Sequence, residues 1–139
     1  MSQEALQLIM STEGSPRQLI RKKLTLAFSK DFMKSEEIEH LINQRLLNPQ
    51  PTEAFRAQLA AGATFNLSDK VKQIKAPCLI AAATEDVLVP VGNAYNLAGK
   101  IPNSVLKIYE GLGHQFFVEI PEQFNRDVIA FLKEEMDKE

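Results

Sequence analysis

What most limits the folds open to this chain is a change of hydrophobic pattern at about Val71. Past Ile74-Lys75-Ala76-Pro77, the six residues Cys78-Leu79-Ile80-Ala81-Ala82-Ala83 form an unbroken apolar run of strand length, which suits a strand covered on both faces. A polar break, Thr84-Glu85-Asp86, follows. Next comes a helical pattern from about Val91 to Gly99, with Val91, Ala94, Tyr95 and Ala98 on one face and Ile101-Pro102-Asn103 ending it. The pattern predicts a second strand at Val105 to Tyr109 and a Gly-rich turn, Gly111-Leu112-Gly113-His114. A last amphipathic helix has the stripe Ile120, Phe124, Val128, Phe131 and Leu132. A helix-bearing connection of about twenty residues is the geometry that joins two parallel strands, with a right-handed crossover. Both polar breaks then open onto one sheet edge. Asp86 and His114 each lie a few residues past the C-terminal end of a strand, and neighbouring strands stand about 4.8 Å apart, so the two side chains can meet. Open α/β sheets place their ligands at that edge.

Residues 1 to about 66 follow a different rule, with apolar positions at helical spacing and no strand signal. Four short helices fit. The first spans about Gln3 to Met10. The second starts at Ser15 as N-cap with Pro16 in the first turn, and buries Ile20, Leu24, Ala27 and Phe28. The third begins after Ser35, whose hydroxyl is expected to cap it, and buries Ile38, Leu41, Ile42 and Leu46 before Asn48-Pro49 ends it. The fourth runs from about Pro51 to Ala61 with Phe55 and Leu59 inward, and Gly62 weakens its end. The fold class is therefore α/β, with a helical segment over residues 1–70 followed by a β-α-β-α unit with parallel strands over 71–139.

Composition narrows the function classes. An apolar fraction of 45% with 24% charged residues is ordinary for one globular domain. A formal charge of −2 and no basic run longer than Arg21-Lys22-Lys23 leave no footprint for nucleic acid or an anionic membrane. No apolar stretch approaches the roughly 18 residues of a membrane-spanning helix, and Met1-Ser2-Gln3-Glu4 lacks the regions of a secretory signal. The lone Cys78 excludes an intramolecular disulfide and reads as a core residue in a reducing compartment, so a cytoplasmic location is expected.

Several spaced features now bear on chemistry together: Ile74 to Ile80, then Thr84-Glu85-Asp86-Val87-Leu88-Val89-Pro90, then Gly111-Leu112-Gly113-His114, and finally Phe117 to Phe124 with Glu119, Pro121 and Glu122. In this order they resemble the closing segment of α/β-hydrolases. The resemblance covers about residues 71 to 133, with Ala83 standing where the family usually has glycine. It implies that Asp86 is the acid and His114 the base of a hydrolytic triad, and that the helical half is cap-like. The chain is then a truncated α/β-hydrolase fold whose parent acts on a small ester, lactone or related acyl substrate without a cofactor. The physical logic agrees, because a carboxylate on one imidazole nitrogen fixes the tautomer and leaves the other nitrogen free to take a proton.

The family's nucleophile sits in Gly-x-Ser-x-Gly at a sharp turn, and no such pattern occurs here. Ser2, Ser11, Ser15, Ser29, Ser35, Ser68 and Ser104 lie at helix starts, loops or turns. The expectation is a fragment or one half of a split enzyme, inactive alone, whose first strand has an uncovered edge. A homodimer through Cys78 to Ala83, the missing N-terminal half or a repacked cap would cover it. The alternative is an inert self-associating module with an inherited fold. His40 beside Glu39 has no second ligand at metal spacing, so no metal site is proposed. Glu36-Glu37 reads as helix-end charge, Phe116 and Phe117 as core, Lys133 to Glu139 as a solvated helix end, and Gly111-Leu112-Gly113 as a weak match to a phosphate loop.

Overall fold

The computed structural model describes residues 1–138, so Glu139, the last residue of the expected solvated helix end, lies outside the described residues. Its helical segment begins with α1 (Gln3–Met10), capped by the Ser2 hydroxyl, which accepts the Ala5 N–H at 3.1 Å. Helix α2 (Pro16–Leu24) opens on a reciprocal cap: Ser15 Oγ accepts the Gln18 N–H, and the Gln18 side chain accepts the Ser15 N–H. Two orphan donors are satisfied at once, and Pro16 occupies a position that needs no N–H. The helix stops at Leu24. Ala27 and Phe28 are buried as expected, but from tight turns whose N–H groups bond back to the Leu24 carbonyl.

Ser35 does not cap the third helix. It closes a 3₁₀ turn (Phe32–Lys34) through its N–H to the Phe32 carbonyl at 2.9 Å, and α3 (Glu37–Leu47) starts after Glu36 with no side-chain cap. The 3₁₀ turn takes up the chain ahead of α3, leaving the hydroxyl one residue early. Leu24, Ile38 and Ile42 are fully buried and, with Ala27 and Phe28, form the core of this segment. Leu46, expected on the same stripe, is exposed, because nothing among the described residues covers the last turn of α3. Helix α4 (Thr52–Thr64) runs through Gly62 into open space beyond the expected end at Ala61. One exposed glycine costs about 1 kcal/mol relative to alanine, and the helix formers Ala60, Ala61 and Ala63 around it tolerate that. Phe55 and Leu59 are half-buried.

After a short 3₁₀ turn (Val71–Gln73), β1 (Cys78–Ala83) pairs in parallel with β2 (Ser104–Tyr109), from Cys78 opposite Ser104 to Ala83 opposite Tyr109. The connection carries α5 (Gly92–Ala98), as the pattern predicts. Alternate strand residues face opposite ways. Cys78, Ile80 and Ala82 pack with Ala94, Ala98 and Ile101 on the α5 side, while Ala81, Ala83 and Tyr109 pack with Phe116, Ile120 and Phe124 on the other. Phe116 lies on α6 (Phe116–Glu119), which the sequence pattern does not announce, Phe124 on α7 (Pro121–Met136), and Ile120 caps both between them. Tyr95 and Leu132, expected inward, are 54% and 53% exposed. The two-turn α5 buries a stripe only as wide as Ala94 and Ala98, and the far half of α7 has no layer against it. Ala83 is fully buried with an ordinary backbone, so alanine serves as the last strand residue without strain. Among the described residues no helix is long and apolar enough to cross a membrane.

The helical core is the most completely buried part of the molecule. Ile42→Ala is therefore expected to lower the unfolding free energy by about 2–5 kcal/mol in urea titration. Leu46→Ala, on the uncovered turn, is expected to change it by less than about 0.5 kcal/mol.

Candidate active site

The strand ladder continues into both loops that follow it. The Thr84 N–H donates to the Tyr109 carbonyl at 3.0 Å, the Glu85 N–H to the Leu112 carbonyl at 3.0 Å, and the Gly111 N–H to Thr84 Oγ1 at 2.9 Å. Gly111 takes a φ of 71°, which suits glycine and turns the chain sharply after β2. The two loops are thus fixed to each other before any side chain is considered. On this frame Asp86 and His114 come together as expected, with His114 Nδ1 2.7 Å from Asp86 Oδ2.

The Asp86 carboxylate is fully engaged. Its other oxygen, Oδ1, accepts the Leu88 N–H at 2.9 Å and the Val89 N–H at 2.7 Å, and the side chain is only 7% exposed. Burial pushes the carboxyl upward, but the His114 hydrogen bond, the Val89 N–H, the imidazolium charge and the Leu88 N–H outweigh it. The carboxyl is held below its usual 3.8. For His114 the hydrogen bond to Asp86 is the largest influence. With the carboxylate's charge it lifts the imidazole above the usual 6.5, against burial, which lowers it. An ionised carboxylate only accepts, so Nδ1 carries the proton and Nε2 is the basic nitrogen. Among the described residues the imidazole makes no hydrogen bond other than the one at Nδ1.

Both side chains border a hollow of about 180 Å³ lined also by Ile80, Val89, Ala94 and Phe116. No serine, threonine or cysteine of the described residues lines it. A larger hollow of about 740 Å³ lies between α1, α2 and the α3–α4 turn, and neither Asp86 nor His114 borders it. Phe116 is buried against Tyr109, with ring centroids 4.9 Å apart, whereas Phe117 is 44% exposed and departs from the expected core role. It rests edge-on against Phe116 at the surface. His40 is exposed on α3, and among the described residues no group of three His, Cys, Asp or Glu side chains is placed to hold a metal ion.

Two features of the site escaped sequence reasoning. The Leu88 and Val89 N–H groups on Asp86 form a local turn of a kind that Asp favours two and three residues ahead of its own position, so Asp86-Val87-Leu88-Val89-Pro90 carried a signal. The second is Glu119. Its Oε1 accepts the Gly113 N–H at 2.9 Å and the Ser29 N–H at 3.1 Å, and Oε2 accepts the Ser29 hydroxyl. Nothing in the pattern joined residues 29 and 119.

Parallel strands linked through a helix, with both loops opening at one edge and a helical segment packed beside them, define a truncated α/β-hydrolase fold. Residues 6–121 match the family model described as serine aminopeptidase, S33, and the chain belongs to that α/β-hydrolase family. RutD of Caulobacter sp. (strain K31), whose name assigns it provisionally as a carbamate hydrolase, is 33% identical over 103 residues, 74% of this chain and 37% of that protein. A solved N-acyl homoserine lactone degrading enzyme, Est816, superposes with a TM-score of 0.74 at 26% identity, over 94% of this chain and 52% of its own. An esterase of Exiguobacterium antarcticum, EaEST, gives 0.76 at 20% identity, over 94% and 47%. The chain therefore spans little more than a third of RutD and about half of each solved chain.

Asp86→Asn removes the carboxylate charge while keeping its shape. In an NMR titration of the imidazole it is expected to move the His114 midpoint down toward the ordinary 6.5. The raised imidazole contributes stability present in full below 6.5 and lost as pH rises through its folded value. The lowered carboxyl contributes stability present above 3.8 and lost as pH falls through its own. The stability gap between wild type and Asp86→Asn is thus expected to be widest between those two pH values.

Proposed function

We propose that this chain supplies the acid and the base of a serine hydrolase, with Asp86 orienting His114 and the nucleophile coming from polypeptide outside these 139 residues. The observation that carries the reading is the Nδ1–Oδ2 bond of 2.7 Å beside a hollow that no hydroxyl or thiol side chain borders. A serine brought to that hollow would give its proton to His114 Nε2 as its oxygen attacks the substrate carbonyl carbon. The imidazolium, steadied by Asp86, would then pass the proton to the leaving group, and water would release the acyl group by the same route reversed. Proton transfer of this kind contributes about 10²–10⁴-fold. The names of the similar proteins, a carbamate hydrolase, a lactone-degrading enzyme and an esterase, support a small ester, lactone or related acyl compound as substrate. The chemistry needs neither metal nor cofactor.

The chain alone is then expected to be inactive on a generic activated ester. Activity should appear when the polypeptide is extended upstream to include a Gly-x-Ser-x-Gly segment, and should fall at least about 10²-fold with His114→Ala in the extended protein. Activity in the extended protein that survives His114→Ala would sink the proposal.

A second reading, a non-enzymatic self-associating module, is favoured by one observation. Among the described residues β1 pairs only with β2, so the other side of β1 presents unpaired N–H and C=O groups. Pairing of two copies edge to edge would satisfy them. Sedimentation of the chain is then expected to give twice the 15.6 kDa mass. A strictly monomeric chain would remove this reading.

A further inference from the structure

The loop that carries His114 is tied to the Thr84–Glu85 loop on one side, through Gly111 and Leu112, and meets the helical segment on the other. Glu110 to Gln115 includes two glycines, and the buried Gly113 has no side chain with which to pack. What surrounds Gly113 is backbone: a Cβ there would stand 2.7 Å from the Phe28 carbonyl carbon and 2.8 Å from the Ala27 oxygen. The histidine loop therefore lies directly on the corner that follows α2, and the Gln115 N–H donates to the Ala27 carbonyl at 2.8 Å. Across this junction stands one carboxylate. Glu119 Oε1 takes N–H donors from both sides, Gly113 at 2.9 Å and Ser29 at 3.1 Å, while Oε2 takes the hydroxyl of the buried Ser29. Ser29 Oγ in turn accepts the Phe32 N–H at 3.2 Å.

We propose that Glu119 is a positioning residue whose carboxylate clamps the His114 loop to the Ala27–Ser29 corner and so sets where the imidazole stands relative to Asp86. The inference rests on the reading of Asp86 and His114 as an acid–base pair. Gly113 immediately precedes His114, so a shift of its peptide moves the ring directly, and a bond of 2.7 Å tolerates little displacement. The Glu119 carboxylate bonds the Gly113 N–H and the Ser29 N–H and hydroxyl, and makes no bond to the imidazole. It acts through geometry, and its charge is not the operative property. One carboxamide oxygen can accept both N–H groups, so glutamine should do the same work. Alanine leaves the Gly113 and Ser29 N–H groups without their acceptor in a buried place.

The test is the NMR titration of His114 in the full chain, with His40→Ala used to separate the two imidazoles. Glu119→Ala is expected to lower the His114 midpoint by more than half the fall that Asp86→Asn produces, and to speed hydrogen exchange at the Gly113 amide. Glu119→Gln is expected to titrate as wild type. Ile101→Ala, which loosens the separate core on the α5 side of the sheet and touches neither the Ala27–Ser29 corner nor Glu119, is expected to leave the His114 midpoint in place. A folded Glu119→Ala chain that titrates as wild type overturns the inference, as does an equal fall in Ile101→Ala, which would make the effect one of general loosening. If Glu119→Ala does not fold, Glu119→Asp decides the matter: it keeps the charge but shortens the reach, so a lowered midpoint supports the clamp and an unmoved one overturns it. If Asp86→Asn fails to lower the midpoint, it is the acid–base reading itself that falls.

Discussion

The parallel register of β1 and β2 is the constraint on which everything else in this molecule depends. Because Ala83 lies opposite Tyr109, the next backbone groups, at Thr84 and Glu85, reach the Tyr109 and Leu112 carbonyls. The two loops leave the sheet already bonded to each other. A slip of one residue would send the slipped strand's α5-facing residues to the α6–α7 side and the reverse, and would carry Asp86 past His114 by a full residue spacing. The pair is thus a property of the backbone first and of its side chains second.

Within that frame the burial of Asp86 is sustainable only because its oxygens are satisfied. A carboxylate taken out of water without partners would become protonated rather than charged. Two backbone N–H groups and one imidazole replace the lost water, and the carboxyl stays ionised. Keeping the charge makes His114 Nδ1 a donor, and the tautomer leaves Nε2 as the basic nitrogen of a ring that borders the hollow. Desolvation, hydrogen bonding and tautomer choice are one linked arrangement around a single side chain.

Much of this was legible in the amino-acid order, for definite reasons. The run Cys78–Ala83, the spacing to Val105–Tyr109 and the intervening helical stripe are patterns of period and length, which the backbone imposes locally. The capped start of α2 at Ser15 is local as well. Whatever depended on contacts between distant segments was hidden. Ser35 has the composition of a cap, but the 3₁₀ turn ahead of it decides its position. Leu46, Tyr95 and Leu132 sit on correct helical stripes and remain exposed, because periodicity tells which way a residue points and is silent on whether anything covers it. Phe117 follows the same rule. Glu119 stood in plain view among the residues that resemble a hydrolase, yet its partner Ser29 lies ninety positions earlier.

The near-contact of Gly113 with the Phe28 backbone has a mechanical meaning. There is no room at that corner for sliding, whereas α4 at the far end of the helical segment has no fully buried residue to hold it down. The segment is pinned at residues 27–29 and, through Ile38 and Ile42, along α3, which leaves α4 as its loosely held end. Changes of helix length or side-chain bulk in α4 can be absorbed there while the corner at residues 27–29 keeps the imidazole itself still.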